Sequence, residues 1–589
     1  MGEKIDPTWL AFSFARAPSS ERLGAGIARL KDHYGPLVDY PLEAQSAVGG
    51  GQGVLVIGDA DPRCRWPFFA EDEDMAVTYA YVPSGFGKAT EISEPSPKAA
   101  LALGAVLVRD PRATRHLAPP FAIAVLDKRT GELLVVNDWI GAGRCLEVAF
   151  PEGKLWTNRA AAAHLFAGRE ARADPAAWRI LAGAGWFMGR STPIEGVEGV
   201  ETGLALRASG GKVDRRDLGV LPSLIASRSS YEELRDRAAE DAVSQIRLAD
   251  ALWEGRTSVD LSGGRDSRVV AAAALAAGSD AEVVTSDRTI GEADVALELM
   301  SRASGRLKHS LRKTDNEAAR LDRPLLERAL NVHLLHDGMR HPQKVRGNQD
   351  LPRKRPQRAT LSGHGGAIAK GFYYPNRREL WRVRLSGNEE RIKRVSKLFP
   401  KVRGLARGPC ADAAREAAQA TLDAADDAGL SGPERLEWFY LCDRFAHRQG
   451  LASHAERLVL FAMPAFVEAS FAMSPKDRMA SRLHEDLVAR FVPEWAAVSF
   501  FDPDEGSGSP TRRRKLWESP DDAAAIDALV TTDGVWTELY QPDAMRTAWA
   551  KLKAGEGNQK WEAAFEGAVY RQAFEDFLER VNAIARSRS

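Results

Sequence analysis

Ser258–Leu261 (SVDL), then Ser262-Gly263-Gly264-Arg265-Asp266-Ser267, then Arg268–Ala277 (RVVAAAALAA) is the stretch that decides the fold. The first part reads as a short buried strand, the second as a glycine-rich turn and the third as an alanine-rich helix. A second strand at Ala281–Ser286 and a second helix at Ala293–Ser304 follow, and the helix Tyr231–Leu252 precedes. Strands alternating with helices predict an α/β unit with a parallel sheet. A strand of such a sheet delivers its following loop to the carboxyl edge, where ligands of these sheets sit. Two glycines let the backbone approach an anion closely, and the helix adds its positive N-terminus. Ser262 and Ser267 offer hydroxyl donors, and Asp266 a carboxylate for Mg²⁺ between phosphates. The chain has no GxxxxGK[ST] sequence, so this is not the loop of a kinase or GTPase.

Outward from this motif the texture changes. The first two hundred residues are short apolar strands broken by Gly/Pro turns, such as Gly53–Gly58, Phe121–Asp127 and Glu132–Asn137. The last two are joined by the hairpin loop Lys128-Arg129-Thr130-Gly131, which predicts layered β packing rather than a parallel nucleotide-binding sheet. Gly49-Gly50-Gly51-Gln52-Gly53 reads as a plain loop, with no strand before it and no helix after it. Beyond residue 310 helices dominate, and Arg340–Arg358, with five Arg and two Lys, reads either as a charged exposed loop or as a steering surface for an acidic or peptide substrate.

The bulk numbers bound the rest. A chain of 589 residues exceeds one hydrophobic core and implies several domains. Lys+Arg and Asp+Glu both total 81, so no global charge argues for nucleic acid. No apolar run reaches 18 residues, the start lacks a signal-peptide core and a myristoylation pattern, and the four cysteines form no CxxC. A cytoplasmic protein with neither nucleic-acid nor membrane partner is expected.

The hexapeptide at 262–267 resembles the SGGxDS signature of the PP-loop ATP pyrophosphatases, and the likeness to asparagine synthetases of the glutamine-hydrolysing type extends along the chain. Phe121–Trp139 resembles the hairpin of their glutaminase domain, and Asp138–Val148 with Lys154-Leu155-Trp156 the segment after it. Gly185–Leu204 is similar to their linker, and Asp443–Ser470 to the helix pair and Met463-Pro464 turn of their C-terminal half. The resemblance implies an α/β multi-domain protein: an Ntn-type αββα glutaminase-like sandwich over 1–210, a linker over 211–230, and a synthetase domain over 231–589. It implies ATP and Mg²⁺, with AMP and pyrophosphate as products. Leu261, Ser262, Gly263, Gly264, Asp266, Ser267, Ser286, Gly363 and Gly365 would then bind ATP, and Asp266 and Asp294 the metal.

Two departures shape the expected subclass. The working amidotransferases use an N-terminal cysteine whose own amine is the base, and here residue 2 is Gly, with no counterpart of the arginine and Asn-Gly glutamine-pocket motifs. Glutamine is then not the nitrogen source. Gly363-His364-Gly365-Gly366-Ala367 resembles the family's G-x-G-[SG]-D turn, with Ala367 in place of the aspartate that helps hold Mg²⁺. Another acid, Asp287 or Asp294, would have to replace it, or the protein is catalytically degenerate. His364 stands where ammonia-using members have Glu and β-lactam-forming ones Tyr; it is either the base that takes a proton from an amine or a cap on the glycine turn. Lys515, ending Thr511-Arg512-Arg513-Arg514-Lys515, resembles the late lysine placed over developing phosphate charge, or is part of a solvated basic face.

These features predict an AMP-forming amide-bond ligase whose substrate carries both carboxylate and amine. In length and layout the chain resembles the lasso-peptide cyclases, which would imply macrolactam closure on a precursor peptide with an accompanying protease or recognition protein. A β-lactam synthetase-like cyclase, a sugar-carboxylate amidating enzyme, and a non-catalytic nucleotide-binding scaffold are the alternatives.

Overall fold

The computed structural model describes residues 6–287, 290–303, 305, 307–312, 323–385, 387–400, 402, 404–448, 457–501 and 515–587. It is an α/β protein with two antiparallel sheets, one parallel sheet and many helices. Twelve strands precede residue 218: β1 (Thr8–Phe14), β2 (Leu42–Gly49), β3 (Gln52–Asp59), β4 (Phe69–Glu71), β5 (Met75–Tyr79), β6 (Ala122–Asp127), β7 (Leu133–Asn137), β8 (Leu146–Phe150), β9 (Gly153–Thr157), β10 (Val197–Gly199), β11 (Leu204–Ser209) and β12 (Lys212–Asp217). They form two six-stranded sheets, ordered β10-β8-β9-β1-β3-β2 and β12-β11-β7-β6-β5-β4. Buried side chains from both, including Trp9, Val54, Ala124, Val135, Trp156 and Leu206, make one apolar layer between them. The helices Ser20–Tyr34 and Ala162–Ala167 pack outside the first sheet and Pro97–Arg109 outside the second, which completes a helix-sheet-sheet-helix sandwich.

Two readings of the sequence need correction in this half. The glycine cluster at 49–53 does have a strand before it: β2 and β3 pair from Leu42↔Asp59 to Gly49↔Gln52, and Gly50, at φ 62°, turns the hairpin. β2 (LEAQSAVG) alternates half-buried and exposed residues and buries only Ala47, its apolar side chains being mostly small, so its period-2 signal is faint. The stretch read as a linker, 211–230, contains β12, paired along β11, and the helix Val220–Ile225.

The second half is built on β13 (Thr257–Asp260), β14 (Glu282–Ser286), β15 (His309–Arg312), β16 (Ala359–Ser362) and β17 (Arg457–Val459). Every pair is parallel and the order is β15-β14-β13-β16-β17. The helix Tyr231–Trp253 opens with a capping box of Ser230 and Glu233 and packs on the helix Arg265–Ala277. Val259, Val283 and Leu361 anchor the sheet in the same apolar core as the buried face of Arg265–Ala277. Among the described residues no helix is long and apolar enough to cross a membrane.

The halves interlock through buried polar groups. Arg159 pairs with Asp337 at 2.9 Å with both side chains almost fully buried, and Tyr34 and the amide of Ala161 also donate to Asp337. Trp186 and the amide of Gly189 donate to Asp443 in the same way. The stretch 340–358 is not the solvated loop its charge suggests. Arg340 and Arg353 are buried, Arg346 pairs with Glu562 and Glu566, Arg355 with Asp59 and Asp61, and Arg353 bridges to Val38. Arg346, Arg355 and Arg358 meet acids of the surrounding elements, which sequence-local charge counting does not see.

Candidate active site at the sheet edge

Strands β14 and β15 lie on one side of β13, and β16 and β17 on the other. The chain direction of the sheet order therefore reverses between β13 and β16, and the loops leaving those two strands flank the crevice where ligands of open parallel sheets bind. These are the loops that hold Ser262–Ser267 and Gly363–Ala367.

The first loop is held open by its own serines. The Ser262 amide donates to Ser267 Oγ at 3.0 Å, the two hydroxyls lie 3.0 Å apart, and the Gly264 amide donates to Ser262 Oγ at 3.2 Å. Gly264 occupies the N-cap of Arg265–Ala277 with no side-chain cap, so the first-turn amides keep their donor capacity toward the crevice. Leu261, buried, continues the β13 edge through its amide to Val284 O.

The second loop packs directly on the first. A Cβ on Gly363 would stand 3.0 Å from Ser267 N, and one on Gly366 would stand 2.3 Å from Asp266 Oδ1. Gly365 has φ 95°, and a Cβ there would meet the Phe445 ring at 2.6 Å. Phe445 belongs to a π-helical stretch, Tyr440–Arg448, a geometry that tends to mark functional sites. The glycines of this turn are thus required by contact as well as by backbone conformation.

Asp266 is the centre of the crevice. Lys370 Nζ donates to its Oδ2 at 2.7 Å, and His484 Nε2 lies 2.9 Å from its Oδ1, off the line of an ideal hydrogen bond. Burial opposes ionisation of Asp266, but His484 and Lys370 outweigh it and hold the carboxyl below the usual carboxylate value. His484 is fully buried against Phe461 and Phe466, and burial pushes its own value down despite Asp266.

A divalent cation expected on Asp266 and Asp294 does not fit this arrangement. Both Asp266 oxygens already face nitrogen partners. Asp294 is exposed on the helix Ile290–Arg302, whose Glu292 and Val295 face the loop instead. Asp294 lies about 200° around that helix from Glu292. Ala367 brings only a methyl group to this turn. Asp287 follows β14 in a turn after the exposed Ser286, its amide donating to Arg312 O.

A strap closes one side of the loop. Arg268, fully buried, donates to Val498 O at 2.6 Å and Ser499 O at 3.0 Å, and its guanidinium stacks on Phe500 together with Arg265. Phe501 follows, its amide donating to Gly263 O at 3.1 Å.

His364 is exposed at the turn, with its Nδ1 bonded to Ser362 Oγ and its amide donating to the same oxygen at 3.3 Å. That arrangement fixes the ring beside the crevice. Lys515 is placed differently from the expectation. Its Nζ lies 3.7 Å from Glu562 Oε2, in the cluster where Arg346 also meets Glu562 and Glu566, and its amide bonds Glu518. No described contact links Lys515 to either crevice loop. Gly2 and Thr511–Arg514 lie outside the described residues.

Sequence reasoning missed Lys370, His484, Glu292 and Arg268. Lys370 had a faint signal, a lone cation closing the apolar run Ala367-Ile368-Ala369. His484 had none, since its helix reaches Asp266 only through tertiary packing.

No family model matches this chain. No curated protein matches it in sequence either. Among solved structures, a glutamine phosphoribosylpyrophosphate (PRPP) amidotransferase from B. subtilis complexed with ADP and GMP aligns at 11% identity and TM-score 0.22, over 52% of this chain and 65% of that one. An allosteric regulatory enzyme of purine biosynthesis aligns at 10% identity and TM-score 0.22, over 52% of this chain and 80% of that one. The chain thus spans just under two thirds of the first of these. Likeness of that degree carries nothing about the reaction.

Proposed function

We propose that this protein is an ATP-dependent, AMP-forming amide-bond ligase. The observation that carries the reading is the Ser262–Ser267 loop, which joins β13 to an uncapped helix N-terminus at the reversal point of a parallel sheet and packs against the Gly363–Gly366 turn. Loop amides and the helix N-terminus suit the β- and γ-phosphates, leaving the α-phosphorus toward the open crevice. A substrate carboxylate attacks that phosphorus, the bond to the bridging oxygen breaks, and pyrophosphate leaves. An amine then attacks the acyl-adenylate carbonyl, AMP departs, and the amine's proton passes to a base. His364, oriented by Ser362, is the base proposed for that proton.

In this reading the amine comes from the substrate itself. The specific reading is macrolactam closure on a precursor peptide, as in lasso-peptide cyclases. β-Lactam synthetase-like closure and amidation of a sugar carboxylate are its rivals. A nucleotide-binding scaffold without turnover is favoured by one observation, that both oxygens of Asp266 already face nitrogen partners.

The test is AMP and pyrophosphate release by the purified protein with carboxylate-and-amine substrates, peptides first, with and without glutamine. The ligase reading expects AMP and pyrophosphate in equal amounts and no glutamate. Nucleotide binding with no AMP from any substrate supports the scaffold, and ADP as product ends the reading.

A further inference from the structure

The segment Gly363–Lys370 carries two ionisable side chains, His364 and Lys370. Ala367, Ile368 and Ala369 between them are buried, so the short helical turn Gly366–Ala369 is fixed in the core and Lys370 follows it at a defined place. Its ammonium meets Asp266 at 2.7 Å, and both side chains keep 26% of their surface exposed. On the opposite oxygen stands His484, which has no exposure and packs against the rings of Phe461 and Phe466. Gly366 touches Asp266 so closely that even a methyl group there would collide with Oδ1. Asp266 therefore has a buried side, filled by His484 and the turn, and an open side, where Lys370 is.

An ammonium has three donors and Asp266 takes one of them. Two remain, on a side chain that keeps 26% of its surface exposed. A carboxylate neutralised by an ammonium at hydrogen-bond distance is a poor ligand for a further divalent cation, because the incoming charge meets a nearly neutral pair and must displace the lysine. The pair as a whole is near neutral, and the ammonium within it is held in place by its anion.

Resting on the ligase reading, we infer that Lys370 is the fixed cation of this crevice. Asp266 orients its ammonium toward the pyrophosphate oxygens of the nucleotide, and it takes the place of a metal ion held by the protein's own carboxylates. The nucleotide brings its own chelated Mg²⁺, and the protein contributes no second metal site. Asp266 is in this account a positioning residue for Lys370 rather than a metal ligand.

The experiment counts metal ions on the bound nucleotide. Mn²⁺ titration of the full chain with α,β-methylene ATP, read by electron paramagnetic resonance, should give one Mn²⁺ per bound nucleotide. Lys370→Met should weaken nucleotide binding at stoichiometric Mn²⁺ by about 10- to 100-fold, the worth of one charge-assisted hydrogen bond. Excess Mn²⁺ should restore part of the affinity by occupying the freed Asp266. Lys370→Met/Ala367→Asp should bind a second Mn²⁺, and Lys370→Arg, which keeps the charge, should stay within a few-fold of the parent. Two Mn²⁺ per nucleotide on the parent protein, or unchanged affinity in a folded Lys370→Met, overturns the inference and leaves the ligase reading standing. A parent protein that binds no nucleotide at all overturns both. Should Lys370→Met not fold, the parent's metal count and a Lys370→Arg variant with lost affinity would each overturn the inference on their own.

Discussion

Phe501 and Gly263 are locked together: the Phe501 amide donates to Gly263 O at 3.1 Å, and a Cβ added to Gly263 would come within 2.7 Å of Phe501 Cβ. The strap anchored by Arg268 therefore rests on a glycine that cannot carry a side chain in this arrangement.

Gly263→Ala should displace either the strap or the loop and weaken nucleotide binding by about tenfold or more, on the order of 1–3 kcal/mol for an overpacked contact. Isothermal titration with MgATP reads it directly. Phe501→Gly in the same chain removes the colliding atom and should recover part of the affinity. An alanine variant that binds as the parent does would show that the strap yields freely.

His364→Ala and Lys515→Ala should behave differently. Loss of a positioned base slows amide closure by about 10²–10⁴-fold while pyrophosphate exchange into ATP survives. Lys515 sits on Glu562, away from the crevice contacts, at 24% side-chain exposure. Its removal should leave both half-reactions within a few-fold and lower stability by no more than about 1 kcal/mol. A Lys515→Ala variant that loses closure by about a hundredfold would return that residue to the chemistry.

Asp337→Asn should destabilise the whole chain by about 3 kcal/mol or more, because Arg159 would be left as a buried charge without its counter-ion. The urea midpoint should fall by the corresponding amount, with crevice binding unchanged in the folded protein. A midpoint equal to the parent's would mean that the two halves do not rely on this pair.

Burial pushes the Asp443 carboxyl up to about 6, against the donors Trp186 and Gly189 that favour its charged form. Its unfolded value is about 3.9. The native state therefore binds more protons than the unfolded state between those two values, and the strain of the buried charge is present above pH 6 and relieved as pH falls. Lowering pH from 7.5 to 5 should raise the stability of the parent by about 1 kcal/mol relative to Asp443→Asn. Denaturant melts at the two pH values measure the difference, and equal changes in both proteins would rule it out.

The sequence by itself determined the elements and the loop. The period and glycine placement of 257–277 specify strand, turn and helix because each is fixed by contacts within a few residues. The hairpin of β6 and β7 was readable for the same reason. β2 was not, since it buries only Ala47, and the stretch 340–358 was misread because Arg346, Arg355 and Arg358 meet acids distant in sequence. Only the tertiary structure decided what Asp266 does. Its partners Lys370 and His484 come from a turn and a helix that the parallel order of β13 and β16 and the packing of Arg482–Phe491 on Arg265–Ala277 bring together. A carboxylate's role depends on which charges surround it in space, and linear spacing does not record that.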